Sequence, residues 1–144
     1  SLILLFFLRS FKAGLISLIP NLVPVLSVGI ILQLVGRPLD IGAVVIASVV
    51  LGIAVDDTIH IFTNYLKLIR NGDSTQEAIV KLFQKSAPAL IVTTLILSIS
   101  FSCFLLASFV PNQNLGLLMA CGLVIALITD FLLLPLLLAK FIRE

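Results

Sequence analysis

The sequence predicts an all-α fold. It reads as a polytopic membrane helix bundle with four full transmembrane helices, a truncated N-terminal helix and a short amphipathic helix on the cytoplasmic surface. Three observations predict this. Of 144 residues, 60% are hydrophobic and 11% are charged, with a mean hydropathy of +1.28. Soluble domains hold about 45–50% apolar and about 25% charged residues. The apolar residues fall in runs of the length that spans a bilayer, about 20 residues of helix. The breaks between runs alternate in charge, with Lys and Arg gathered at every second break. A chain of this size cannot bury so much apolar surface in its own core, so lipid must cover part of it.

Residues 2–8 form the helix remnant, and the chain reads as a piece of a longer protein cut inside that helix. "RSFK" separates it from the first full span, 13–34, which carries Pro20 and Pro24 in "PNLVP". A proline inside a helix removes a hydrogen bond and kinks it. "VGRPLD" then breaks the chain with glycine and proline. The second span is 41–63. After it "NGD" is a turn, and Ser74-Thr75-Gln76-Glu77 reads as a capping box. This opens the amphipathic helix, 75–85, in which Ala78, Ile79, Leu82 and Phe83 recur at helical spacing among Lys81, Gln84 and Lys85. Such a helix lies on a membrane surface. The third span, 87–110, has Pro88 near its start, where proline is tolerated. "VPNQN" leads to the fourth span, 115–138. All of these belong to one transmembrane domain.

Basic residues orient the spans. Arg9, Lys12, Lys67, Arg70, Lys81, Lys85, Lys140 and Arg143 fall on one side of the predicted bundle, and Arg37 falls on the other. The positive-inside rule puts the eight, and the C-terminus, in the cytoplasm. The net charge of +2 is small, and no nucleic-acid partner is expected. Cys103 and Cys121 both lie inside apolar runs and read as buried free thiols.

The chemistry concentrates at "VDDTIH", residues 55–60. It holds two carboxylates and the chain's one histidine in the second span. An ionisable side chain at bilayer depth costs at least about 2.5–3.5 kcal/mol and rarely faces lipid. Ser48, Gly52, Asp56 and His60 are four residues apart and share a helix face. Ser48 and Gly52 are small enough for another helix to approach closely. Asp57 points about 100° away, toward a second neighbour. Counting from the span ends puts Asn21, Asp57, Thr93 and Asp130 in one slab about 9–12 Å from the cytoplasmic face.

Two readings stand for each of these residues. Asp56 and Asp57 are a proton relay, or one of them is a structural acid held by hydroxyls and amides. His60 pairs with Asp56 or passes protons toward the cytoplasm, or it is an interfacial histidine. Asp130 joins the relay, or it caps a hydrogen-bond network, the reading favoured here. Thr93 and Thr94 bond to the acids or back to their own helix. One histidine and a few aspartates make no zinc or di-iron set. A membrane aspartyl protease brings two Asp within about 3 Å. Asp57 and Asp130 lack the glycine-flanked motif usual for those enzymes. No glycine-rich phosphate loop is present. No enzyme, metal or cofactor is therefore expected.

"GIAVDDTIH", residues 52–60, resembles the fourth helix of the repeated half in the resistance-nodulation-division (RND) superfamily. It is most similar to the MMPL branch of lipid exporters, related to Patched and the sterol-sensing domains. "IPNLVPVL", "GRPLDIG", "STQEAIVKLF" and "ALITDFLLLPLLL" agree, so the likeness covers essentially the whole chain. The resemblance implies a twelve-helix exporter of two halves, each with a large extracytoplasmic domain. This chain would be the last five helices of the C-terminal half. Its partners would be the N-terminal half, the extracytoplasmic domains, membrane lipids and a hydrophobic or lipid-like substrate; self-association into a homo-oligomer stays open. In that family, acids on the fourth helix of each half meet centrally and couple proton flow to export. Those roles map onto Asp56 and Asp57. The location implied is a bacterial inner (cytoplasmic) membrane. Drug-efflux relatives set an intramembrane lysine against an aspartate pair, and no mid-span Lys or Arg occurs here. The counter-charge would come from the other half or from His60. Two alternatives share the helix set: a sterol-sensing-like lipid sensor, and a protein-export accessory subunit of the same superfamily.

Overall fold

The computed structural model describes residues 18–37 and 41–141. The expected remnant 2–8, the start of the first span, and Arg9, Lys12 and Arg143 lie outside the described residues. The described chain is helical throughout: α1 (Leu18–Leu34), α2 (Ile41–Arg70), α3 (Thr75–Ser102), a 3-10 turn (Cys103–Leu106) and α4 (Val110–Phe141). Among the described residues three segments are long and apolar enough to cross a membrane: Ile41–Arg70, Thr75–Leu106 and Val110–Leu133. The apolar part of α1 is shorter, Pro20–Leu34.

Local chemistry sets the helix ends. α1 stops at Gly36, whose φ of 69° is left-handed. Arg37 N–H reaches back to Leu32 O (3.0 Å) and Gly36 N–H to Gln33 O (3.2 Å), closing the last turn. α2 ends the same way at Gly72 (φ 94°), with Asp73 N–H bonded to Leu68 O and Gly72 N–H to Ile69 O. Lys67 and Arg70 stand in that last turn, where a cation complements the helix dipole. α3 begins with the expected capping box. Ser74 Oγ accepts from Glu77 N–H, and Glu77 Oε2 accepts from Ser74 N–H at 3.0 Å.

One continuous helix, α3, runs through both the segment read as a surface helix (75–85) and the start of the segment read as a span (87–110). No glycine or turn residue interrupts it at Ser86 or Ala87. Pro88 lies inside it on the exposed side, so loss of one N–H leaves the buried stripe unbroken. That stripe is Ala78, Leu82, Ser86, Leu90, Thr94 and Ser98, one residue per turn. α2 likewise continues past the expected end at Thr63, and its 30 residues reach about 45 Å at 1.5 Å per residue.

α4 packs against each of the other three helices and the 3-10 turn. Gly116 permits the closest approach. A Cβ there would stand 2.7 Å from Phe101 O and 3.0 Å from Phe104 Cβ. Two apolar clusters result. One joins Val28 and Leu32 of α1, Ile46 and Val50 of α2, and Leu118 and Leu123 of α4. The other joins Ile61, Phe62 and Tyr65 of α2 with Ala78, Leu82 and Leu90 of α3. Thr58 of α2 falls between the two clusters and is itself fully buried.

Candidate functional site: a buried polar hub

Thr58 is the centre of the site. The buried stripe of α2, Val50–Ala54–Thr58–Ile61, turns its side chain inward. Its Oγ1 lies 2.9 Å from Ala54 O, 3.0 Å from Asn21 Oδ1 of α1 and 3.2 Å from Asp130 Oδ1 of α4. One hydroxyl therefore ties three helices. Asn21 and Thr58 are 0% exposed and Asp130 is 3% exposed. Asp130 Oδ2 is buried with no hydrogen-bond partner. Pro20 and Pro24 flank Asn21 and are fully buried. Pro24 has no N–H, so the Pro20 carbonyl loses its helical donor at this depth. Ser27 Oγ bonds to the Pro24 carbonyl at 2.6 Å.

The structure brings Asn21 and Asp130 together and places Asp57 half-buried beside them. Asp57 precedes Thr58 and lies within coulombic reach of Asp130. Thr94 is buried on α3. Thr93 is not part of the layer. It sits on the exposed face and bonds to its own helix, at Ala89 O (3.1 Å) and Leu90 O (3.0 Å). The α3 stripe passes through Leu90, Thr94 and Ser98, and Thr93 is out of phase with it.

Asp56 and His60 are exposed, as are Ser48 and Gly52. A Cβ on Gly52 would meet nothing within 4 Å. Ser48 Oγ bonds to Val44 O at 2.9 Å. This face of α2 therefore has no neighbour among the described residues. His60 sits against Asn64 (Nδ1 to Nδ2, 3.3 Å) rather than against Asp56. Asn64 Nδ2 also donates to Ser86 Oγ of α3 at 3.2 Å. Among the described residues no group of three or more His, Cys, Asp or Glu side chains is placed to hold a metal ion. Cys103 is exposed and Cys121 half-buried; both are free thiols.

Sequence reasoning missed Thr58 as the hub, although the spacing Ala54–Thr58–Ile61 marks it as inward-facing. It also missed the clasp at the opposite end of the bundle, where Arg37 Nη1 donates to Asn114 Oδ1 and joins the end of α1 to α4.

The MMPL family model matches residues 1–143. Two relatives are named as membrane proteins. MJ1562 of Methanocaldococcus jannaschii is 28% identical over 134 residues, which cover 93% of this chain and 34% of that protein. ActII-3 of Streptomyces coelicolor is 28% identical over 101 residues, covering 70% of this chain and 14% of that protein. The chain thus spans about a third or less of the length of these relatives. No solved structure matches it. The apolar helices and these relatives make the chain an integral membrane protein.

Proposed function

Because the chain belongs to the MMPL family, we propose that it is the membrane-embedded C-terminal half of an RND/MMPL-type exporter driven by a proton gradient. One observation carries the reading: α2 bears ionisable groups on two faces within about one turn of each other. Asp57 borders the buried hub of Thr58, Asn21 and Asp130, while Asp56 and His60 lie on an open face built on Ser48 and Gly52. An open small-residue face carrying an acid fits a helix that packs against the rest of a longer protein. Proton binding at Asp56 and Asp57 would change the charge buried at that contact. The change in packing would then be passed to external domains that move a hydrophobic or lipid-like substrate. No cofactor enters this scheme. In the proposed orientation the Arg70–Thr75 turn and the C-terminus are cytoplasmic, in an inner-membrane setting.

The test uses the full-length protein with Asp56→Asn and Asp57→Asn made separately. Export of a phospholipid with a fluorescent acyl chain is measured in reconstituted vesicles with and without a pH gradient. Loss of gradient-driven export in either variant supports the reading. Full export in both removes it.

A further inference from the structure

We propose that Asp130 is itself a proton-binding residue, and that the Thr58 hydroxyl switches partners with the proton on Asp130. Hydrogen-bond accounting carries this. Thr58 Oγ1 has one proton and two lone pairs. Three oxygens surround it: Ala54 O, Asn21 Oδ1 and Asp130 Oδ1. Ala54 O and Asn21 Oδ1 can only accept, so while Thr58 donates to either of them the contact with Asp130 needs a proton from the acid. A neutral Asp130 supplies it. When the proton leaves, the carboxylate accepts only, and the Thr58 proton must turn from those two oxygens to Asp130. The two protonation states thus have two distinct bonding patterns joining α1, α2 and α4.

A second observation concerns the surroundings of the Asp130 carboxyl. Asp130 Oδ2 is buried and unpartnered, and Asp130 lines a pocket between α2, α3 and α4 together with Ile61, Ser86, Leu90 and Pro135. Ser86 accepts from Asn64, which touches the exposed His60. These contacts link the open face of α2, at His60, to Ser86, which lines the same pocket as Asp130. The groups facing Asp130 are few. α1 from Leu18 to Leu34 has no ionisable residue. α2 contributes Asp57, with Asp56 and His60 further out. The α3 residues of the pocket, among them Leu82, Ser86 and Leu90, are uncharged, and Lys81 and Lys85 are exposed. The inference goes beyond the export reading and does not need it: Asp130 can bind a proton whatever the protein moves.

Infrared difference spectroscopy on the full-length protein in lipid, with isotope-labelled aspartate, reads the carbonyl band of a protonated carboxyl as pH is cycled. The expected result is a reversible band that Asp130→Asn removes and that persists in the Asp56→Asn/Asp57→Asn double variant. Thr58→Val should shift that band and Thr58→Ser should restore it. These two variants leave the carboxyl in place and keep the test sharp if Asp130→Asn folds poorly. A titrating band unchanged by Asp130→Asn overturns the proposal, as does one that ignores Thr58→Val. Either result leaves the export test above untouched.

Discussion

At the scale of single residues the hub sets the energetics. Thr58→Val keeps the shape of the side chain but leaves the polar groups of Asn21 and Asp130 without its hydroxyl. A buried polar group that loses its partner costs about 1–3 kcal/mol. Thr58→Val is expected to lower stability by that amount in a denaturant titration in detergent, and Thr58→Ser by clearly less. Gly116→Ala tests packing alone. The nearest atom to the new Cβ is the backbone oxygen of Phe101 at 2.7 Å, which cannot swing aside, so a loss of about 1–3 kcal/mol is expected. Gly122→Ala meets Val50 Cγ2 at 3.0 Å, a side-chain end, and should cost less in the same titration. The sequence shows Asn21 and Asp130 because a polar residue in an apolar run is conspicuous. Thr58 is hidden by its neighbours: beside two aspartates a threonine draws no notice, and only the phase of the buried stripe singles it out. The same phase separates Thr94 from Thr93, which composition cannot do.

At the scale of elements, helix ends were legible wherever glycine supplies them. "VGRP" and "NGD" mark Gly36 and Gly72, and both adopt the left-handed conformation that ends a helix. Ends inferred from hydropathy were displaced. Hydropathy reports where a helix leaves lipid, not where its hydrogen bonds stop, so α2 runs on through Lys67 and Arg70. α3 is about 42 Å long by its 28 residues, against about 30 Å of hydrocarbon. Its first turns, with Lys81 bonded to Asp73, therefore extend beyond the apolar layer as part of the same helix. Ser74→Ala removes the cap and is expected to cost about 1 kcal/mol. The loss should appear as faster hydrogen exchange at the amides of the first turn of α3, with the amides around Thr94 unchanged. Equal exchange in both regions would mean that the capping box does not anchor this end.

At the scale of the whole molecule the described helices divide their surfaces unequally. α4 is enclosed by its neighbours along Leu118, Leu123 and Ala126. α2 buries one stripe and leaves Ser48, Gly52, Asp56 and His60 open, with Val45 and Val49 beside them. The membrane class of the fold was plain from composition, and α2 as the helix that bears the acids was plain from "VDDTIH". What covers its open face was not, because amphipathic phase shows that a face is special without showing its neighbour. If the rest of a longer MMPL protein packs there, Gly52→Leu should reduce proton flux in the full-length protein while hydrogen exchange around Thr58 stays unchanged. The central claim, that the acids of α2 carry protons, is tested most directly by proton uptake into proteoliposomes of the full-length protein. The vesicles hold a pH-sensitive dye under an imposed pH gradient, and wild type is compared with Asp56→Asn and with Asp57→Asn. Wild type should dissipate the gradient and at least one variant should hold it near the protein-free rate; equal dissipation by all three would contradict the claim.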